Sequence, residues 1–600
     1  MNTFLRQAEY YGMLDTFDDL YQRSQEGRLG RLDLYSIITS KNNILLAYRT
    51  IKANTGSKTC GTDGLTIEDY KCIIEDTFVE EIRKHFKRYK PNTVRRVMIP
   101  KSNGKLRPLG IPTMRDRLIQ QCIKQVLEPI CEARFYNHSY GFRPNRDTHD
   151  AMARCQSLIN MSKLHHIVDI DIQGFFDSMN HTRLLKQLYN IGVYDKRILT
   201  IISKMLKAPI KGVGIPTKGT PQGGILSPLL SNVSLNDLDW WIAGQWEFLK
   251  TKHKYIRGNK YKAMKKTNLK QMFIVRYADD FKIFTNTHKS AIRIYHAVKG
   301  YLKDRLNLDI SPEKSMITNL RRNKSEFLGF SLKAVKKKNR YVAYTNVSVK
   351  NKQEIKSKIK QRIKEIQKSP ILKNISNYNS YILGIQNYYK IATHVSTDFT
   401  EIAYCLSKTL YNRLKSTGKW GIPINPNATY KKFYKNHYST FEIGNVYLYP
   451  MADIKTQCAR NFTQEKCNYT SIGRKLLEHK YLSDMVAKEI KRLENSTTKY
   501  SSIEYADNRI SKYSMQMGKC ALTDEFLSAE EVHCHHIKPR SLDGTDSFSN
   551  LVILSKDSHK LIHATDEQTI ERYMDKLLLD GKQLKKLNMY RKKCNLIAID

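Results

Sequence analysis

The chain has 600 residues and a mass of 69.9 kDa, which at roughly 150 residues per domain is length for about four domains. Hydrophobic residues at 40% and aromatics at 10% supply real cores and exclude a disordered chain. Lys+Arg 102 against Asp+Glu 57 leaves +45, a self-repulsion that a polyanion offsets, so the expected partner is nucleic acid and not a small acidic metabolite. Charge by itself leaves open a basic ribosome-associated or membrane-surface protein.

In chain order, residues 1–75 read as helical, with a Gly/Thr-rich break at Thr55–Gly64. From about 76 to 335, β-like runs at Val94–Pro100, His166–Asp171, Phe273–Tyr277 and Phe281–Phe284 alternate with helical ones, which points to an α/β or α+β body. Between them Lys250–Lys270 is dense in Lys and Arg, free of acids and interleaved with Tyr255 and Tyr261. It reads either as a solvated loop or as a phosphate-contacting insertion with rings for stacking. From about 350 the pattern turns helical: Ile355, Ile359, Ile363 and Ile366 share one face as core residues. Lys356, Lys358, Lys360, Arg362 and Lys364 cover much of the rest, a candidate nucleic-acid track. An Asn/Thr/Lys-rich stretch near 492–515 reads as a linker into a last module. The cysteines number 11, an odd count without a C-x-x-C, so neither a disulfide framework nor a zinc ribbon is encoded and a reducing cytosol fits. The first residues lack an apolar signal core, and no run reaches the roughly 18 apolar residues of a membrane span.

The first chemical constellation is acidic. His166–Asp171 is a β-branched run ending in a carboxylate, and Ala278-Asp279-Asp280 lies between two β-rich runs, as at the tip of a hairpin. Adjacent carboxylates at a turn repel, and a cation beside them relieves that repulsion. Oxygen-only ligands suit Mg²⁺ completed by water and substrate phosphates. Two such ions about 3.5–4 Å apart stabilise the attacking and leaving oxygens of a phosphoryl transfer. For the dipeptide alone, a solvated turn is the competing reading.

Tyr277-Ala278-Asp279-Asp280 resembles the signature of reverse transcriptases, and further blocks follow in that family's order. They are Lys105-Leu-Arg107-Pro108-Leu-Gly-Ile111-Pro112, Ser139-Tyr-Gly-Phe-Arg143-Pro144, Asp171-Ile-Gln-Gly-Phe-Phe-Asp177, Gly219-Thr-Pro-Gln222-Gly223-Gly224-Ile-Leu-Ser-Pro228, Leu308-Asp-Ile-Ser-Pro-Glu-Lys314 and Phe327-Leu-Gly-Phe330. The resemblance is to the group II intron-encoded branch. It implies that Asp171 and Asp279 hold two Mg²⁺ ions, that Asp280 completes the catalytic triad, and that Phe176 is a steric gate against the ribose 2′-OH. It also implies that Lys101, Lys105 and Arg107 meet the incoming triphosphate, that Gln222 orients the template–dNTP pair, and that Tyr277 lies at the substrate site. Asp177 is expected to be structural. The same resemblance implies a helical thumb, domain X, that grips intron RNA. Its local matches are Gly384-Ile-Gln-Asn-Tyr388-Tyr389 and Lys419-Trp420-Gly421-Ile422-Pro423, whose rings read equally as base-stacking or as core.

The third constellation is rich in histidine. Cys520 precedes His533-Cys534-His535-His536, Asn550 follows, and His559-Lys-Leu-Ile-His563 closes the run. An H-x-x-x-H spacing on a helix puts two imidazoles on one face, where a third can complete a metal site with an open position. A remaining His is then left to activate water. This resembles the HNH endonuclease motif, and the resemblance implies His535, His559 and His563 as metal ligands, His536 as general base and Asn550 as the orienting residue. A purely structural His cluster is the alternative. Many intron-encoded members add two Cys pairs for a structural zinc; here Ser555 and Ser558 stand before His559, so the module is expected to be held by its core alone.

The expected fold is multidomain α+β: a right-hand polymerase with fingers, palm and helical thumb, plus a small ββα-metal HNH module. The expected boundaries are 1–75 N-terminal extension, 76–335 fingers and palm, 336–450 thumb and domain X, 451–514 DNA-binding region and linker, and 515–600 HNH. The implied function is a group II intron-encoded RNA-directed DNA polymerase that assists splicing and nicks target DNA to prime reverse transcription. The alternatives are a free-standing defence-type reverse transcriptase and an RNA-binding splicing factor with relic catalytic sites. Expected cofactors are two Mg²⁺ at the polymerase site and one divalent metal, Mg²⁺, Mn²⁺, Ni²⁺ or Zn²⁺, in HNH. Expected partners are intron RNA in a ribonucleoprotein, target DNA and dNTPs, with no membrane and with a homodimer left open. The expected location is the cytoplasm of a bacterium or similar cell, at the nucleoid when acting on DNA.

Overall fold

A computed structural model describes residues 3–30, 32–100, 104, 106–479, 481–496 and 501–599. The chain divides into two compact units of mixed helix and sheet. One gathers Met1–Phe135, Phe176–Ser234 and Glu465–Asp600, and the other Tyr136–Phe175 and Leu235–Gln464. No helix among the described residues is long and apolar enough to cross a membrane.

The second unit is built on a four-stranded antiparallel sheet, in the order Phe273–Tyr277, Asp280–Thr285, His166–Ile170, Met316–Asn319. Alternation of Ile and Val with larger rings suits these strands, and Ile167, Val168, Ile274, Val275, Phe281, Ile283 and Phe284 are all buried. A three-stranded meander, Ser325–Phe327, Phe330–Lys337 and Arg340–Val347, leads into three long helices, Val349–Lys368, Leu372–Tyr389 and Val395–Leu414. Ser348 caps the first by accepting from Asn351 N. The isoleucine face is buried as its spacing demands: Ile355, Ile359, Ile363 and Ile366 lie in one core with Tyr378, Tyr389, Phe399 and Ile402.

The first unit packs the N-terminal helices Leu14–Glu26 and Lys41–Lys52 against the helix Met114–Glu132, whose face from Leu118 to Cys131 is buried. Two antiparallel pairs belong to it: Arg95–Pro100 with Leu106–Ile111, and Val532–His536 with Leu551–Ser555. One continuous apolar core runs from Ala8 to Cys594 and includes Tyr48, Phe78, Tyr513, Leu551, Ile553 and Leu587. The stretch 492–515, soft in composition, carries the helix Ile503–Met515, capped by Ser502 and buried along Ile503, Ala506, Ile510 and Tyr513. Its polar residues are held by partners that only the folded chain brings to them.

Candidate active sites

The acidic site forms at one end of the four-stranded sheet. Tyr277 pairs with Asp280, so Ala278 and Asp279 make a two-residue turn between antiparallel strands. Ala278 takes a left-handed φ of 59°, a conformation that costs a side chain free energy and persists only where its surroundings hold it. Those surroundings are specific. A Cβ on Gly141 would stand 2.3 Å from Ala278 N, so only glycine lets the Ser139–Pro144 block pass over the turn. Arg276, fully buried, binds both oxygens of the equally buried Asp239 and donates Nη1 to Ala278 O at 2.8 Å. Sequence reading passed over Arg276 and Asp239, because each alone looks like an ordinary surface charge.

Asp171 follows the central strand. Ile170 pairs with Phe281, so Asp171 leaves the strand at the end where Asp280 begins its own, and its charge acts on Asp280. Its backbone is pinned by Ser311 N donating to Asp171 O at 2.8 Å, and Lys314 Nζ lies 3.3 Å from its carboxylate. Asp280 is solvent-exposed at its strand end, yet protein around the carboxyl strips its hydration and raises it to about 6. The nearby charges of Asp169, Asp279 and Asp171 push the same way, and Lys282, paired with Asp169, opposes. Carboxylates that crowd one another and draw in a lysine are what a divalent cation would neutralise, so this donor set fits one. Tyr277 is half-buried beside the turn, and desolvation raises its phenol.

The other expected substrate residues lie in the first unit. Arg107 Nε donates to Gln222 Oε1 at 2.6 Å, and Gly110 N donates to Gln222 O at 2.6 Å. Gly223, at a φ of 112°, passes so close that a Cβ would stand 2.5 Å from Gly110 O. The Gly219–Gly224 loop is also tied to the turn that carries Phe176, through Thr220 N to Phe176 O at 2.7 Å and Gly219 N to Met179 O at 2.7 Å. Asp177 lines a cavity of about 340 Å³ with Arg96, Pro108, Lys218, Pro221 and Gln222. Lys101 and Lys105 lie outside the described residues.

In the helix Leu372–Tyr389, Tyr389 is buried and accepts from Asn351 Nδ2 at 2.7 Å, while Tyr388 donates to Leu328 O at 2.9 Å and stacks on Phe330. Both rings are committed to packing. Trp420 stays 47% exposed beside Phe441. Of the basic helix face, Lys352 and Lys356 are paired with Asp398 and Glu401, whereas Lys358, Lys360 and Lys364 are exposed. In the basic insertion Tyr261 stacks on Trp246, and Tyr255 is exposed.

The histidine site is carried by the antiparallel pair Val532–His536 and Leu551–Ser555 and by the helix Lys556–His563 that follows directly. His563 Nε2 lies 3.4 Å from His535 Nδ1, and His559 ring centroids stand 5.2 Å from His535 and 4.7 Å from His563. Burial, with the neighbouring imidazoles, lowers His535 and His559 to about 3 and also lowers His533, while burial and the Arg591 charge lower His563. All four are therefore neutral at pH 7, with lone pairs free to bind metal. His535 Nε2 is buried without a hydrogen-bond partner, a further fit to a cation. Among the described residues one set of potential ligand atoms closes to within 4.8 Å: His535, His563 and Cys594. His559 is outside that set, and its ring lies tilted against His533 with centroids 3.6 Å apart. Cys594 was not legible as a neighbour, since it arrives at the end of the helix Gly581–Lys593.

His536 Nε2 bonds Asp546 Oδ1 at 2.7 Å. Asn550 bridges its loop, accepting from Lys538 N and donating to Lys538 O and Thr545 O at 2.8–3.0 Å. The Cys520 thiol sits 3.5 Å from Ser558 Oγ and accepts from Leu522 N and Ser555 N. These hydrogen bonds tie the segment after Gly518 to the start of the helix Lys556–His563, a support that the sequence did not disclose.

The family description "Reverse transcriptase (RNA-dependent DNA polymerase)" matches residues 99–332, and "HNH endonuclease" matches residues 519–565. Protein YkfC of Escherichia coli (strain K12) is 32% identical over 327 residues, 51% of this chain and 84% of that protein. Group II intron-encoded protein LtrA of Lactococcus lactis subsp. cremoris is 29% identical over 479 residues, 65% of this chain and 78% of that protein. The putative COX1/OXI3 intron 2 protein of Saccharomyces cerevisiae is 27% identical over 326 residues, 48% of this chain and 38% of that protein. With both descriptions matched in order and the acids and histidines gathered as described, the chain belongs to the group II intron-encoded reverse transcriptases and carries a C-terminal HNH endonuclease domain.

Proposed function

We propose that this protein copies RNA into DNA at Asp171, Asp279 and Asp280, assists the splicing of the group II intron that encodes it, and nicks target DNA through its HNH module to supply the primer. The observation that carries the polymerase reading is the turn at Ala278-Asp279, which sets two carboxylates at the sheet end that Asp171 also reaches. A right-hand arrangement suits it, with fingers and palm at 76–335 and a thumb at 336–450. Mg²⁺ ions held by Asp171 and Asp279 would stabilise the attacking 3′-oxygen and the leaving pyrophosphate. The protein's own part is positional. Arg276 and Gly141 hold the turn, Ser311 and Ser315 fix the Asp171 backbone, and Gln222, braced by Arg107 and Gly110, presents a rigid loop to the template–dNTP pair. Phe176, whose carbonyl accepts from Thr220 N in the same loop, acts in this reading as the gate against a 2′-OH, which makes dNTPs the favoured substrates.

In the nuclease, His535, His559 and His563 would hold one divalent metal, which polarises the scissile phosphate. His536 takes the proton from the attacking water, and Asn550 keeps the intervening loop in register. Intron RNA and target DNA are the partners that the exposed Lys358, Lys360 and Lys364 and the net charge of +45 suit.

Asp279→Asn is expected to abolish cDNA synthesis on a primed RNA template while leaving RNA binding within about twofold, because one carboxylate charge is lost and the fold is not. Extension at the normal rate would remove Asp279 from the metal site. For the biology, crosslinking in the native cell should recover one dominant structured RNA that contains or flanks this reading frame. A scatter of cellular RNAs would keep the polymerase and discard the intron partner.

A further inference from the structure

A general base acts in one tautomer and one orientation, since its accepting nitrogen must face the water it deprotonates. His536 Nε2 lies 2.7 Å from Asp546 Oδ1. A carboxylate can only accept there, so Nε2 carries the proton and Nδ1 is left as the accepting nitrogen.

Asp546 is itself immobilised. Arg540 Nη2 donates to its two oxygens at 2.7 and 2.8 Å, and Ser502 Oγ donates to Oδ2 at 2.6 Å. Its peptide carbonyl accepts from Asn508 Nδ2 at 2.8 Å. Burial disfavours the charge, but the hydrogen bonds from His536, Ser502 and Arg540 win and hold the carboxyl far below the usual range. The His536 ring lies flat against Tyr505, with centroids 5.4 Å apart and planes at 15°, and the Tyr505 hydroxyl donates to Cys534 O at 2.9 Å. Ser502, Tyr505 and Asn508 belong to the cap and body of the helix Ile503–Met515. That helix precedes residues 519–565, the extent of the HNH match.

We propose that Asp546 is the positioning residue for His536, fixing its tautomer and aim through Nε2. The helix Ile503–Met515 completes the nuclease site by tethering Asp546 through Ser502 and covering His536 with Tyr505. This rests on the reading of His536 as general base. Its consequence is that the working nuclease begins near residue 501, because the part that aims its base lies outside the motif.

The test is single-turnover nicking by the full-length protein, in its ribonucleoprotein, of a supercoiled plasmid carrying the joined flanks of its intron. Asp546→Asn should lower the maximal rate about 10–100-fold, as the loss of a carboxylate partner to a working histidine does elsewhere. The DNA concentration for half-maximal rate, the melting temperature and cDNA synthesis should not move. Asp546→Glu should recover part of the rate, and Ser502→Ala should cost less than Asp546→Asn. In a His536→Ala background Asp546→Asn should do nothing more. Normal nicking by Asp546→Asn, or an added loss in the His536→Ala background, overturns the positioning role while His536 stands. Normal nicking by His536→Ala instead removes the general base and the inference with it.

Discussion

Gly141 shows how much one missing Cβ decides. The Tyr277–Asp280 turn carries an alanine in a left-handed conformation, and the Ser139–Pro144 block presses against it so closely that any side chain at 141 would meet Ala278 N at 2.3 Å. Gly141→Ala must push the two segments apart. Overpacking of this kind costs about 1–3 kcal/mol, and here the displaced atoms carry the two carboxylates proposed for the polymerase site. The expected outcome is a lowered melting temperature with a larger loss of cDNA synthesis than of RNA binding. Equal losses in both assays would mean that the turn is not the affected part. The acids were legible as candidates from the sequence, through the ordered blocks that surround them, since an Asp pair in a turn reads equally as solvated surface when taken alone. The Arg276–Asp239 pair beneath them was not, because its partners stand far apart in the chain and burial alone reveals its role.

Among the elements, the helix Ile503–Met515 departs most from its sequence-based reading as linker. Composition made it soft, yet its polar residues are satisfied across the chain. Asp507 accepts from Tyr11, Arg49 and Lys52 at 2.6–2.8 Å, and Glu504 accepts from Tyr48 and pairs with Lys52. A linker and a buried charged seam look alike in composition, and only the opposite charges on Lys41–Lys52 tell them apart. Burial works against the charge of Asp507, but Arg49 and Lys52 outweigh it and depress its pKa below the ordinary value. A carboxyl depressed on folding stabilises above its unfolded pKa of about 3.9, and that stability is lost as pH falls through the folded value. Asp507→Ala strands two cations in a buried seam, so it should cost about 3–5 kcal/mol at neutral pH. The gap to wild type should close on acidification below about pH 4. Thermal melts at both pH values check this, and a gap that is constant with pH would assign the loss to packing instead.

At the scale of the molecule, the surplus of +45 is spread over both units and is partly consumed at home. Lys352, Lys356, Arg49, Lys52 and Arg474 all sit in ion pairs with this chain's own acids. What remains exposed is available to phosphates. A protein that neutralises six to ten phosphates loses about 10³-fold or more in affinity between 50 and 200 mM salt, and RNA binding here should fall at least that steeply. A shallow dependence would mean that the surplus is solvated surface and that recognition rests on stacking, for which Trp420 and Tyr255 are two of the exposed rings.

The sequence by itself determined the class of chemistry, through the acids and imidazoles it gathers into motifs, the order of the two matched modules, and the isoleucine face that the helix Val349–Lys368 buries. Those features are local, set by spacing along one strand, one turn or one helix, and a linear reading sees them directly. The tertiary structure alone decided what holds those groups in place. Gly141 lies against Ala278, Arg276 beneath the turn, Asp546 behind His536, serines around Cys520, and the N-terminal helices against the helix that shapes the nuclease. Most of these contacts join residues from separate elements, and each depends on burial and on hydrogen bonds that exist only once the chain has closed around them.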